Sequence, residues 1–169
     1  MRKILVPVDG SSSALHAVRH AIAEADKAGS IEVQLLYVQA PLPLHIGQFL
    51  SAAHRRAFHD ERAEQALQPA RDLLERAGVL FRVSTATGEK CAVIADFARR
   101  CGCHAVVLCT RRKSALLRMI ENSTVNGVIE RAPVPVVIIA GEPVSRVERY
   151  GVPAGAGAAL ASLLFAAAE

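Results

Sequence analysis

The sequence contains no tryptophan, and aromatic residues make up only 4% of it. A basic stripe interleaved with aromatics, the usual footprint of a nucleic-acid binder, is therefore missing. Lys and Arg are spread among Glu and Asp, and the net charge of +4 is not gathered into a block. Cysteines are few: Cys91, Cys101, Cys103 and Cys109 show no paired CxxC spacing, which excludes a zinc ribbon and a disulfide scaffold and reads as reduced thiols. Long apolar runs are missing as well. Met1-Arg2-Lys3 leads into five apolar residues before Asp9, too short for a secretory signal, and the apolar run Ala158–Ala168 falls below the ~20 residues that span a bilayer. The expectation is a cytoplasmic protein with no membrane and no nucleic-acid partner.

Half of the residues are apolar, and with so few rings the core must be layered from Val, Ile, Leu and Ala. That mixture suits buried parallel strands covered by helices. Two domains in 169 residues would each fall short of the usual ~100–200 residues, so one domain with a tail is expected, with residues 1–141 as the domain and 142–169 as a C-terminal extension.

Strand-like and helix-like patterns alternate along the chain. Ile4–Val8 stops at Asp9-Gly10, and Ser11-Ser12-Ser13 offers N-caps to a helical pattern through Ala28, ended by Gly29. Val33–Val38 is a second strand, and the polar stretch from Gln48 to Ala77 is a helix that Pro69 is expected to kink or restart. Val79–Thr85 is a third strand. Gly88 precedes a helix with Val93, Ile94, Phe97 and Ala98 on one face, capped at Cys101-Gly102. His104–Cys109 is a fourth strand, a basic loop leads to a short helix beginning near Ser123, and Pro135–Ile139 is a fifth strand. This order predicts right-handed crossovers and an open, doubly wound parallel sheet. In such sheets ligands bind at the carboxyl ends of the strands, which directs attention to Pro7-Val8-Asp9, Val38-Gln39-Ala40 and the segment from Cys109 to Thr124.

Several constellations have plain structural readings. His16 and His20 lie four apart on the first helix with no Glu beside the first and no third ligand, so a solvated helix face is expected instead of a metal site. Cys101 and Cys103 read as packing at the Gly102 turn. His54 and His59 read as surface residues of the polar helix. Cys109, at the expected cleft mouth, is open to two readings, a buried thiol or one activated by nearby Arg and a helix N-terminus. Arg111, Arg112, Lys113 and Arg118 make the following loop basic, either as a solvated loop or as an anion-binding one. No catalytic triad or paired-carboxylate pattern occurs. Ala158–Phe165 is a helix candidate that would dock weakly or fray.

Ile4-Leu5-Val6-Pro7-Val8-Asp9-Gly10-Ser11, Leu35-Leu36-Tyr37-Val38, the segment from Gly88 to Thr110, and Ala132–Ile139 together resemble the universal stress protein family over roughly residues 1–140. The resemblance implies an adenine nucleotide alpha hydrolase-like sheet with strand order 3-2-1-4-5. It also implies a homodimer paired through the last strand near Val136, Val137 and Ile138, where an apolar edge would otherwise stand exposed. Family members that bind ATP carry G-x2-G-x9-G-[ST] between the fourth strand and the last helix. Here the spacing is intact, but the glycine positions hold Cys109, Arg112 and Asn122, with Ser123 retained and Thr124 after it. Asn122 tolerates a left-handed backbone, Arg112 is able to pair with a phosphate, and Cys109 stands where backbone would lie against the ligand.

Pro7, Asp9 and Val38 occupy the family's adenine and ribose positions, although Asp9 equally reads as a turn residue ahead of the first helix. The expectation is a non-catalytic stress-response regulator with an unidentified protein partner, no obligatory cofactor and ATP affinity weak or lost. The alternative is a sensor for ATP or another adenine nucleotide, in which Arg112 and Asn122 compensate for the glycines. A flavoprotein-like adenine-cofactor binder is a more distant alternative.

Overall fold

The computed structural model describes residues 1–41, 52–112 and 124–143. Within them the chain runs β1 (Arg2–Val8), α1 (Ser12–Ala28), β2 (Ile31–Gln39), α2 (Ala52–Arg76), β3 (Phe81–Thr87), α3 (Lys90–Arg100), β4 (Ala105–Arg112), α4 (residues 124–131) and β5 (Val136–Pro143). The strands form one sheet in the order β3-β2-β1-β4-β5, and every neighbouring pair is parallel.

Period-two alternation divides the apolar residues between the two faces. Ile4, Val6, Val8, Val33, Leu35 and Val107 point to the layer of α1 and α2, where they meet Ala17, Val18, Leu67, Ala70 and Leu74. Leu5, Leu36, Val38, Val106 and Leu108 point to the opposite layer and meet Ile94, Ala98, Val125 and Val128 of α3 and α4. Small alanines on the helices let them lie close to branched strand residues, which supplies the dense packing that large rings provide elsewhere. Each fully buried Leu or Val contributes about 1.5–3 kcal/mol.

The helix caps follow from the sequence. The Ser11 hydroxyl accepts from the Ala14 N–H at 3.3 Å, and Gly29 closes α1 at φ 69°. Gly10 is needed twice over: its φ is 79°, and a Cβ there would lie 3.3 Å from Ala66 of α2. At α3 the cap is Glu89, whose two oxygens accept from the Cys91 and Ala92 N–H groups at 2.9 and 2.8 Å.

Several expectations are corrected. Pro69 does not restart the second helix, which is continuous over Ala52–Arg76. Gln65 and Pro69 both lie on its exposed side, where water is available to the carbonyl that proline leaves without a donor. The third strand starts two residues later than its apolar run. The fourth and fifth strands extend beyond theirs, because backbone pairing continues through Thr110–Ala140 and, after a register shift, Arg112–Pro143. Gly141 permits that shift, since a Cβ there would lie 2.8 Å from the Thr110 carbonyl oxygen. His59 is half-buried, with Nδ1 shielded and unpartnered among the described residues, whereas His54 is exposed. The C-terminal extension and most of the basic loop lie outside the described residues.

Candidate functional site

A cleft of about 330 Å³ opens at the carboxyl ends of the strands, a size at the lower end of small-molecule sites. Its floor comes from Pro7, Val8 and Asp9 at the end of β1 and from Val38 at the end of β2; one wall is Leu108, Cys109 and Thr110 of β4. The starts of the helices complete it with Ser11, the cap of α1, Ser13 and Ala14 of α1, Lys90 and Ile94 of α3, and Thr124 and Val125 of α4. The site thus gathers apolar surface from Val38, Ile94, Leu108 and Val125, and polar groups from four hydroxyl side chains, one carboxylate and one ammonium. Helix N-termini direct unpaired N–H groups and positive potential toward this end of the sheet, which suits an anion.

Asp9 braces the turn that the sequence assigned to it and stands at the cleft. Its Oδ1 accepts from the Ser11 N–H at 3.0 Å, which braces the turn into α1, and the residue lines the cleft. Cys109 is half-buried on the cleft wall; it also packs toward the α1 face, and its thiol donates to the Thr110 carbonyl at 3.7 Å. A side chain therefore occupies the wall where the family's ATP-binding members have a glycine.

Thr124 is seated from behind by α3. The Cys91 thiol donates to the Thr124 carbonyl at 3.6 Å, and Gly127 lies so close that a Cβ would fall 2.6 Å from Cys91 Sγ. Glu89 completes the joint by accepting from Arg131 Nη1 at 3.1 Å. Hydrogen bonds from the Cys91 and Ala92 amides, helped by Arg131, hold the Glu89 carboxyl below its ordinary range, while burial pushes the Cys91 thiol up. These residues fix the α3–α4 contact and leave the cleft side to Lys90 and Thr124.

Of the residues expected at the site, Pro7, Asp9, Val38, Cys109 and Thr124 come together around the cleft. Arg112 is described as the last residue of β4, and Asn122 and Ser123 lie outside the described residues. Lys90, Ser13, Ile94 and Thr110 were not singled out. Their common signal is position near the start of a helix or the end of a strand, at the carboxyl end of the sheet. None of the four cysteines is in a disulfide. Cys103 is buried at the opposite end of the sheet, where burial pushes its thiol up to about 11. Among the described residues no group of three or more His, Cys, Asp and Glu side chains is arranged to hold a metal. Nor is any described helix long and apolar enough to cross a membrane.

The sequence pattern of the universal stress protein family matches residues 1–140. The chain belongs to that family. It is 27% identical over 144 residues to universal stress protein MJ0531 of Methanocaldococcus jannaschii, covering 82% of this chain and 81% of that protein. Solved structures share its fold, two of them with a nucleotide bound. A universal stress protein in complex with cAMP superposes with a TM-score of 0.65 at 20% identity, covering 83% of this chain and 98% of the other. An Arabidopsis thaliana family protein with AMP bound gives 0.63 at 17% identity, covering 88% and 99%. The fold is the adenine nucleotide alpha hydrolase-like one, in the strand order expected.

Proposed function

We propose that this chain is a cytoplasmic, non-catalytic stress-response regulator that acts as a homodimer and whose cleft accepts an adenine nucleotide but holds ATP weakly. The observation that carries this reading is Cys109 on the wall of an otherwise open cleft. Pro7, Val38 and Leu108 offer apolar surface for a base, and Asp9 has a carboxylate in reach of a ribose. These residues fit the nucleoside part of the ligand. The polyphosphate part has lost the bare backbone of three glycines, and a thiol fills the first of those positions.

The homodimer rests on β5, an edge strand in the sheet order that carries Ile138 at 44% exposure. Val137 packs toward the α1 face of its own sheet, so Ile138 is the better residue on which to probe pairing. The second reading is a sensor that binds an adenine nucleotide as its working ligand; the AMP and cAMP held by the two related structures favour it.

Native mass spectrometry of freshly purified protein separates the readings and reads the assembly in the same spectrum. The regulator reading expects a dimer without bound ATP and no phosphate release from added ATP. A stoichiometric ATP adduct would replace it with the sensor reading, steady phosphate release would make the chain an enzyme, and a monomer would remove the β5 interface.

A further inference from the structure

We infer that Lys90 is a binding residue of the cleft, its ammonium taking an anionic oxygen of the ligand, so that a nucleoside monophosphate is preferred to the bare nucleoside. The inference rests on the nucleotide reading of the same cleft. Among the described residues that line it, Lys90 is the one cation. It forms no ion pair among the described residues. The nearest carboxylate in sequence, Glu89, is committed elsewhere: its oxygens accept from the Cys91 and Ala92 amides at 2.9 and 2.8 Å and from Arg131 at 3.1 Å.

Lys90 also stands where helix physics disfavours it. It is the first residue of α3, and the first turn of a helix carries partial positive charge that a cation opposes. A cation at that position gains nothing from its own helix. It gains when an anion enters, because the ammonium then has a counter-charge at the positive end of its helix. Ile94 lies one turn further along α3 and lines the cleft with Leu108 and Val38. A ligand filling that space displaces water and lowers the dielectric around the ammonium, which strengthens the contact. Asp9 is the one carboxylate on the described lining, and one of its oxygens already accepts the Ser11 N–H. The ligand that satisfies this inventory has an apolar flat part, hydroxyls and an anionic end. A monophosphate needs one strong charge contact where a triphosphate needs a whole loop, which reconciles phosphate recognition with an incomplete glycine motif.

The test is calorimetry of AMP and of adenosine with the native protein, Lys90→Gln and Lys90→Arg, at low and at raised salt. The expected result is roughly 10- to 100-fold weaker AMP binding by Lys90→Gln, the size of one lost charge-assisted hydrogen bond. Adenosine binding stays unchanged, Lys90→Arg keeps most of the AMP affinity, and salt weakens AMP binding more in the native protein than in Lys90→Gln. Thermal unfolding of Lys90→Gln should be no less cooperative and no earlier than native, because a cation has left a helix N-terminus. Equal AMP affinity in native protein and Lys90→Gln overturns the inference and leaves the nucleotide reading standing. Equal weakening of adenosine and AMP overturns the phosphate assignment. If neither ligand binds the native protein at millimolar concentration, the nucleotide reading fails and the inference falls with it.

Discussion

The two ends of the sheet carry similar side chains and use them in opposite ways. At the amino end polar groups are paired with other protein groups. Lys3 donates from Nζ to the Cys101 carbonyl at 3.2 Å, and its backbone N–H donates to His104 Nδ1 at 3.1 Å. Glu32, only 3% exposed, pairs at 2.6 Å with Arg82, which is 75% exposed. Cys103 is buried beside them. At the carboxyl end Lys90, Ser13, Thr110 and Thr124 surround empty space. A lysine tied to a carbonyl closes a structure, whereas a lysine facing a cleft beside helix N-termini is set up for a ligand. In an open parallel sheet this division follows from topology: crossovers bring helix starts to the carboxyl end and helix stops to the amino end.

The sharpest way to break the comparison is at Arg82. Its removal leaves the Glu32 carboxylate buried without its partner, and the expected cost is about 2 kcal/mol, less than for a fully buried pair because solvent reaches the arginine side. Urea unfolding of Arg82→Ala should show that loss while AMP affinity stays native. A loss of affinity with unchanged stability would mean that the two ends are not functionally separate.

A smaller effect sharpens the boundary at Glu89, the cap of α3 behind the cleft. Its carboxyl is held below the ordinary 4.5 by the Cys91 and Ala92 amides. A carboxyl lowered by folding adds stability above its unfolded value, and that stability disappears as pH falls through the folded value. Native protein should therefore lose an increment of thermal stability below about pH 4.5, and Glu89→Gln should begin lower at neutral pH and change less on acidification. Identical pH profiles for the two would show that the cap does not hold α3 in solution.

The fold was largely legible in the residues, because β-branched runs alternating with alanine-rich helical patterns leave few arrangements, and family resemblance supplied the strand order. Ser11 and Gly29 announced the limits of α1 through their cap chemistry. Strand ends were less legible. Arg112 and Pro143 belong to β4 and β5 through backbone pairing, which leaves no apolar mark. At the site, Pro7, Asp9, Val38, Cys109 and Thr124 were readable because they sit at element ends. Lys90 was not, because a lone lysine in a first helical turn acquires meaning only when the sheet brings Leu108 and Asp9 to face it. The Glu32–Arg82 pair was hidden likewise. An acid inside a strand is inconspicuous until the next strand places an arginine across from Gln34, two residues further along β2.

The central claim is the proposal that ATP binds weakly because Cys109, Arg112 and Asn122 stand at the three glycine positions of the loop. ATP calorimetry on native protein beside the combined Cys109→Gly, Arg112→Gly, Asn122→Gly variant tests it most directly. The account predicts weak binding by the native chain and a clear gain in the variant, partly offset by the added backbone entropy of the glycines. Tight binding by the native chain, weakened in the variant, would contradict it and make Arg112 and Asn122 ligands of the nucleotide.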